Sequence, residues 1–588
     1  MAILGLAISH DASAALTTEN GVVVAAIAEE RIHRIKSFSG LPLSSIQRLT
    51  DLDIEINKVV IGSHVNLKYR DAIRFAAQLD GNPSNPRGSW NREYPGFRSR
   101  MMHTVSAKAV VENLLKQNFL GLREASFEWV KHHDSHLGCS LAASGSGLEN
   151  CLLVSLDGEG DGESGAIATI RQGGQLQNIA RIDALDSLGS LYSAVTSRYN
   201  FRPNEHEGKI TGLAAFGKHS AAVDLLRDFI TVSSGKIRIK QVKGLKSRLL
   251  GKSLRAMGLS SKLALTLSEI VDLAEGVTSD YPDLAFAVQS ILESSVLEVI
   301  EYYIEKTKLS QLGLAGGVFA NVKLNQRISE LHGVKSINVF PNMGDGGISL
   351  GGIWSLLQSQ GRLTSGSLYQ DMYLAPLTDT EDENTMKQIS SDPRLAIEKF
   401  SGELELIRFV AEQLDRGLIV AVHRGRMEFG PRALCNRSLL ADPRTQSINT
   451  KLNERLGRTE FMPFAPIVPI EKFEQFFYKE SSQMLTPYKF MTITCRVRDE
   501  KRSLIPAVVH VDGTARPQVI SEESNPFAHK ILLEFAKFSG CPVLINTSLN
   551  IHGEPINYTL ADSVKPLLNG AYDFLVLDND VVIRKALL

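Results

Sequence analysis

The stretch EWVKHHDSHLGCSLAAS, Glu128 to Ser144, crowds three histidines and an aspartate into the five positions from His132 to His136. A helix is expected after Lys131, and it would carry His132 and His136 on one face, one turn apart. Two imidazoles at that spacing can grip one metal ion but leave its coordination shell incomplete, so a further ligand must come from elsewhere in the chain. Without one, the pair merely caps or packs a helix. Asp345, between glycines in FPNMGDGGISLGG, and Asp157, in CLLVSLDGEGDGE, each fall at a strand end in a glycine-rich turn. A carboxylate there faces a cleft instead of the core, and such loops commonly hold metal–phosphate complexes. His132, His136 and Asp345 are the leading metal set, with His133 and Asp134 in supporting positions. Imidazole and carboxylate without thiolate suit iron, manganese or zinc alike.

A second kind of chemistry is written further along. HRGRMEFGPRALCNRSLLADPR, His423 to Arg444, holds Arg424, Arg426, Arg432, Arg437 and Arg444 in 22 residues interleaved with Gly and Pro. Helical faces are not built this way, and guanidiniums on a tight loop suit phosphate or carboxylate recognition through their planar fork of donors. HVDGTARPQ adds Arg516, and LINTSLNIHGEP places Thr547, Ser548 and Asn550 in a turn after a buried strand, where they offer neutral donors. NEHEGKITGLAAFGK, Asn204 to Lys218, reads equally well as a polar binding loop or an ordinary one.

The elements that must position these residues follow a repeated plan. ILGLAISHDASAALTTENGVVVAA, from Ile3, and CLLVSLDGEGDGESGAIATIRQGGQLQNIA, from Cys151, each read as strand, polar turn, strand, tight turn, strand. Asn20-Gly21 and Gly173-Gly174 mark the hairpins, and Asp11 or Asp157 sits in the first turn of each. This pattern is that of an internal duplication, as in the actin-like ATPase superfold, where two such halves bind nucleotide between them. LGLAGGVFANVKLN, from Leu312, adds a buried strand, a Gly316-Gly317 turn where backbone can approach a ligand, and a helix start. The expected division is an N-terminal region of residues 1–370 in two halves, about 1–150 and 151–370, then a polar linker at 371–402. A second α/β domain at 403–588 opens with a helix in ELELIRFVAEQLDRG and a strand in LIVAVHRG.

Bulk properties agree with a soluble multidomain protein. The 588 residues exceed one hydrophobic core, and a prior of one domain per 100 to 200 residues gives about three or four units. With 43% hydrophobic and 22% charged residues and a net charge of -1, nothing marks a nucleic-acid binder. The basic stretch GKIRIKQVKGLKSRLLGKSLR, from Gly235, is read as a solvated insertion or a contact for an acidic partner. No run approaches a membrane span, the start lacks a signal-peptide pattern, and five scattered cysteines with no CxxC pair argue for reduced thiols in the cytoplasm.

Taken together, SHDASAAL, EERIHRIKS, HHDSH, EGKITGLAAFG, GGVFAN, GDGG, GRMEFGPRAL, HVDGTAR and NTSLNIHGEPI resemble, in order and across essentially the whole chain, the motifs of the O-carbamoyltransferase family. That family includes nodulation-factor, tobramycin and cephamycin carbamoyltransferases. The resemblance implies a duplicated actin-like (RNase H-like) N-terminal domain and a YrdC-like C-terminal domain. The C-terminal domain would combine carbamoyl phosphate with ATP, as its Mg2+ complex, into carbamoyl adenylate and pyrophosphate. The N-terminal domain would pass the carbamoyl group to a hydroxyl of a small acceptor such as an antibiotic or sugar. By motif, His132, His136, Asp157 and Asp345 would hold a divalent metal, typically Fe2+, and His10 would be the base toward the acceptor. Lys36, Gly316, Gly317 and Asn321 would touch the nucleotide, while Arg432, Ser548 and Asn550, with Arg516 nearby, would hold carbamoyl phosphate. No nucleic acid and no membrane are expected as partners, and a homodimer is the assembly to test. The competing readings are a threonylcarbamoyl transferase acting on tRNA, which shares the His-xxx-His motif, a scaffold without chemistry, and a member with a degenerate donor site.

One departure motivates that last reading. In NERLGRTEFMPFAP, Leu456 and Met462 stand where relatives carry a Lys and an Arg directed at carbamoyl phosphate. Hydrogen bonds to charged groups contribute roughly 1.5 to 3 kcal/mol each, so losing both without substitutes should weaken donor binding by at least about a hundredfold. Arg455 and Arg458 are the neighbouring cations that could compensate.

Overall fold

The computed structural model describes residues 1–8, 10–63, 107–145, 149–171, 174–241, 261–278, 280–363, 368–458, 462–479 and 485–586. The stretch from Arg70 to Arg100, one of the loops in which sequence alone would place acceptor specificity, and most of the basic insertion lie outside them.

Two sheets repeat one plan. In the first, β1 (Ala2–Ala7), β2 (Ser13–Thr18) and β3 (Val23–Ala28) form an antiparallel meander, and β4 (Ile56–Gly62) and β5 (Ser126–Val130) add in parallel, giving the order β3-β2-β1-β4-β5. In the second, β6 (Cys151–Gly160), β7 (Glu163–Ile170) and β8 (Leu176–Asp183) form the meander. A side hairpin, β9 (Ile230–Ser233) with β10 (Lys236–Ile239), precedes β11 (Gln311–Ala315) and β12 (Ser336–Val339), which add in parallel to give β12-β11-β6-β7-β8. The parallel strands end in continuous apolar runs because both faces are covered there, as VVIG of β4 (INKVVIG) and LGLA of β11 (QLGLA) illustrate. The β6–β7 register breaks between Leu156 and Gly160, so Asp157 leaves the ladder at the strand end.

Each half closes with a helix after its last parallel strand: His132–Ala143 follows β5, and Ile348–Ser359 follows β12 through a short 3-10 turn, Asp345–Gly347. These two helices meet at backbone distance. A Cβ on Gly138 would stand 2.0 Å from the Gly351 carbonyl oxygen, and one on Gly351 would stand 2.0 Å from that of Ser135. The second helix is also pinned to the first sheet, where Trp354 Nε1 donates to the Gly21 carbonyl at 2.8 Å. The N-terminal ends of the two helices are thereby brought to one point, and those ends carry His132, His136 and Asp345.

The remainder builds one eight-stranded sheet in the order β13-β22-β21-β14-β15-β20-β16-β19. Its strands are β13 (Leu395–Lys399), β14 (Val420–His423), β15 (Arg437–Ala441), β16 (Ala465–Pro469), β19 (Gln518–Ile520), β20 (Leu544–Ser548), β21 (Phe574–Leu577) and β22 (Val581–Lys585), with β17 (Cys495–Arg496) and β18 (Thr514–Ala515) forming a separate ladder. The helix Glu403–Asp415 packs its apolar face on this sheet. The stretch 371–402, read from sequence as a linker, instead contributes the helix Asp379–Ser391 and the edge strand β13, which pairs with β22 from Leu395↔Lys585 to Lys399↔Val581. Its polar composition reflects an edge strand and an exposed helix. All five cysteines are buried and unbridged. Among the described residues no helix is long and apolar enough to cross a membrane.

Because the helix contact leaves no room for a methyl group, Gly351→Ala should lower stability by about 3 kcal/mol and pull Asp345 out of place. Thermal melting together with metal titration checks this; an unchanged melt with unchanged metal uptake would contradict it.

Candidate metal and anion sites

His132, His136, Asp157 and Asp345 present one ligand atom each, all within 4.8 Å of one another. Nε2 of His132 lies 3.1 Å from Nε2 of His136, and both lie 3.1–3.2 Å from the same oxygen, Oδ2 of Asp157. Oδ1 of Asp345 stands 3.5 Å from His132 and 3.4 Å from His136. A divalent ion with ligands at about 2.0–2.2 Å has edges of roughly 3.0–3.5 Å between them, so the donor set fits such an ion in both chemistry and spacing. Neighbours hold each ligand. Asp157 turns Oδ1 to the backbone N–H groups of Gly158 at 2.8 Å and Gly317 at 3.2 Å, which aims Oδ2 at the histidines. The backbone N–H of His132 donates to Asp161 Oδ2 at 3.1 Å. His133 points the other way, bonding Ser155 Oγ at 2.8 Å and the Glu163 carbonyl at 3.1 Å, and burial holds it neutral.

His10 stands beside this cluster, its Nε2 3.3 Å from Asp345 Oδ2 and its Nδ1 3.2 Å from Asp11 Oδ2. Protein crowds the ring, yet 43% of the side-chain surface stays open. Burial disfavours the imidazolium, but the carboxylates of Asp345, Asp11 and Asp157 outweigh it and push the His10 pKa up to about 10. Burial opposes the charge on His136 as well; hydrogen bonds to Asp157 and Asp345 push it up to about 9. Burial likewise opposes ionisation of Asp157, but the two histidines hold its carboxyl well below the usual carboxylate range.

The residues expected to contact nucleotide have mixed roles, and of them Gly316 and Gly317 adjoin the same centre. Gly316 and Gly317 form the turn that supports Asp157, Gly316 adopting φ 102. Asn321 caps the helix Val322–Ser329 through Leu324 N–H at 3.0 Å and donates to Gln289 Oε1 at 2.8 Å, so its amide is engaged in structure. Lys36 is exposed in the turn after the helix Glu29–His33.

The arginine-rich loop corrects its sequence reading. Four of its five guanidiniums serve the fold. Arg424 lies 3.9 Å over the Phe527 ring with Nε 3.3 Å from Asp578, and Arg426 donates to the carbonyls of Ala375 and Val24, each at 3.0 Å. Arg437 donates to the Arg424 carbonyl at 2.9 Å, and Arg444 binds Asp442 and Asp415, both at 2.7 Å. Arg432 remains. It and Arg516 have no carboxylate partner among the described residues, and their Nε atoms are buried and unbonded there. Burial lowers the pKa of Arg432 to about 10, and burial plus the charge of Arg432 lowers that of Arg516, so two buried cations lie within range of each other without a carboxylate partner among the described residues. Glu428, missed by sequence reasoning although it is the one acid in GRMEFGPR, folds this loop: Oε1 accepts the N–H groups of Leu434, Asn436 and Arg437 at 2.7–3.1 Å.

Leu456 and the turn from Thr547 to Asn550 yield a second correction. Leu456 is 1% exposed in the hydrophobic core, and Arg455 is tied to Asp573 at 2.9 Å. Arg458 reaches the turn, donating to Thr547 Oγ1 at 2.8 Å, Ser548 Oγ at 3.2 Å and Asn550 Oδ1 at 3.1 Å. Asn550 Nδ2 donates inward, to the Ile551 and Glu554 carbonyls at 3.0 and 2.7 Å. Ser548 and Asn550 therefore accept from Arg458, which brings a cation to the place where Leu456 and Met462 supply none.

Two outcomes follow. A proton that His136 keeps up to about pH 9 must leave before its Nε2 can bind a cation, so the affinity of metal-free protein for Mn2+ should rise from about pH 7 to 9, by up to about tenfold per unit per proton released. Metal-free stability has the opposite sign, since the raised histidines contribute fully below about pH 6.5 and lose that contribution as pH climbs through 9 to 10. Titrations showing flat affinity over this window would contradict the donor set. Second, Leu456→Lys should destabilise the protein by about 3 kcal/mol or more, because the new charge enters the core instead of an anion site; a denaturant midpoint unchanged from the parent would contradict that placement.

The family model described as Carbamoyltransferase N-terminus matches residues 2–353, and that described as Carbamoyltransferase C-terminus matches residues 411–585. The chain is 31% identical to nodulation protein NolNO of Sinorhizobium fredii over 580 residues, covering 98% of this chain and 79% of that protein. It is 35% identical to the 3'-hydroxymethylcephem-O-carbamoyltransferase of Amycolatopsis lactamdurans over 257 residues, 43% of this chain and 45% of that one. Among solved structures, component A of the (R)-2-hydroxyglutaryl-CoA dehydratase of Acidaminococcus fermentans overlaps with a TM-score of 0.30 at 12% identity, over 61% of this chain and 99% of that one, too slight a likeness to inform the fold. With both halves matched in order and a relative aligned over nearly its entire length, the chain belongs to the O-carbamoyltransferase family.

Proposed function

We propose that the chain is an ATP-dependent O-carbamoyltransferase that works in two steps at two sites, on an actin-like N-terminal domain and a YrdC-like C-terminal one. The observation that carries this reading is His10, open on one face and set 3.3 Å from a carboxylate of a four-ligand metal cluster. A carbamoyl carbon is a poor electrophile because nitrogen donates into its carbonyl, so transfer needs a good leaving group and nearby positive charge. Adenylation supplies the leaving group: water hydrolyses carbamoyl phosphate to carbamate and inorganic phosphate, a carbamate oxygen attacks the α-phosphorus of ATP with departure of pyrophosphate, and carbamoyl adenylate forms. Arg432 and Arg516 are suited to hold the dianionic donor, since their charges are buried and uncompensated by described carboxylates.

In the second step an acceptor hydroxyl attacks the carbamoyl carbon, and the adenylate leaves as AMP. Asp11 fixes the His10 tautomer through Nδ1, which leaves Nε2 to take the hydroxyl proton. A divalent metal, Fe2+ for preference, would be held by His132, His136, Asp157 and Asp345, and would supply Lewis-acid polarisation while offsetting the negative charge that otherwise keeps His10 protonated. The acceptor is a small hydroxylated molecule.

Incubation with carbamoyl phosphate, ATP and candidate acceptors, followed by mass spectrometry, tests the overall activity. Arg432→Ala should abolish pyrophosphate release. His10→Ala should spare that release and slow transfer by about 10²- to 10⁴-fold. Equal loss of pyrophosphate release in both variants would contradict the division between sites.

A further inference from the structure

Arg31 and Arg34 lie one turn apart, on the helix Glu29–His33 and at its C-terminal cap, and both reach from the first sheet's region into the C-terminal region. The Arg31 side chain is 4% exposed; its Nη1 lies 3.2 Å from Glu30, and its Nη2 donates to the carbonyl of Gly430 at 2.7 Å. Gly430 precedes Arg432 by two residues, and a Cβ there would touch Pro341 O and Asn342 Cβ at 3.5 Å, so the loop of Arg432 leans on the loop that carries Asp345. Arg34 wraps the other anion-site segment, donating to Ile556 O at 2.7 Å, Pro555 O at 2.9 Å, Asn557 Oδ1 at 2.6 Å and Glu554 Oε2 at 3.2 Å. The Glu554 carbonyl in turn accepts from Asn550 at 2.7 Å. Arg34 is the left-handed C-cap of the helix, at φ 60, with its backbone N–H on the Glu30 carbonyl at 2.9 Å.

We propose that Arg31 and Arg34 are positioning residues for the donor site, acting from the metal-site side of the molecule. One helical turn carries both guanidiniums, so it fixes the separation of the Arg432 loop from the Thr547–Asn550 turn. The helix is itself anchored to the segment after His10: the Glu29 N–H donates to the Ala12 carbonyl at 2.9 Å, and the buried Glu29 carboxylate accepts the N–H groups of Ser44 and Ser45 at 2.9 and 2.7 Å. Donor binding therefore depends on residues remote in sequence from the donor loops. An arginine is required at position 34, because only a planar fork reaches several acceptors at once. The inference rests on the donor-site reading given above.

The test uses the full chain with Arg31→Ala, Arg34→Ala and Arg34→Lys, each checked for an intact melt and metal content. Hydrogen exchange should accelerate at least about tenfold at 549–558 in both Arg34 variants and at 429–437 in Arg31→Ala, with the helix His132–Ala143 unchanged. Calorimetry with carbamoyl phosphate should show at least about tenfold weaker binding in all three, while ATP affinity holds. Parental exchange rates in those segments, or accelerated exchange with parental carbamoyl-phosphate affinity, would overturn the proposal, as would full rescue by Lys. Should the unmodified protein bind no carbamoyl phosphate, the donor-site reading fails, and inorganic phosphate and pyrophosphate become the probes of the same loops. The proposal then stands or falls on whether the exchange change is matched by weaker binding of those anions.

Discussion

The close crossing of the helices His132–Ala143 and Ile348–Ser359 is the contact on which the rest of the molecule depends. Each helix follows the last parallel strand of its half, and Gly138 and Gly351 let their backbones touch. Duplicated topology alone would bring two helix starts into the same neighbourhood. The glycine contact turns that neighbourhood into a site a few ångströms across, with two imidazoles from one half facing a carboxylate from each of two loops in the other. Helix N-termini carry partial positive charge, which favours carboxylates there even before any cation is considered.

A second consequence concerns where charge is left unused. In the C-terminal sheet the arginines are mostly spent on carbonyls and acids, which hold the loop between β14 and β15 rigid around the buried Glu428. Against that compensated background, Arg432 and Arg516 stand out: burial lowers both, and the charge of Arg432 lowers Arg516 further. A buried cation without a partner costs stability, so an anion is what the proposed donor site would supply to this pair. The candidate metal ligands are the complementary case, two carboxylates and two imidazoles gathered within 4.8 Å of one another.

Much of this was legible in the sequence for identifiable reasons. Strand meanders announced themselves through apolar runs and Asn-Gly or Gly-Gly turns, and the i, i+4 histidine pair specified its own geometry once a helix was granted. Asp157 and Asp345 were recognisable because glycines flank a carboxylate at a strand end. What remained hidden depends on contacts between distant segments. Nothing local distinguishes Arg432 from Arg426, yet one lacks a described acidic partner and the other bonds the Ala375 and Val24 carbonyls. The polar segment 371–402 concealed an edge strand because its outer face is solvated. Sequence offered Arg455 and Arg458 alike as substitutes for the missing cations, and what separates them is the turn that Arg458 enters, 89 residues further on.

The most direct test of the central claim is anomalous diffraction at the iron edge from crystals of the metal-loaded protein. The expected result is one peak per chain among His132 Nε2, His136 Nε2 and the carboxylates of Asp157 and Asp345, within reach of His10. Iron bound elsewhere, or loaded protein with no peak between those four side chains, would contradict the account.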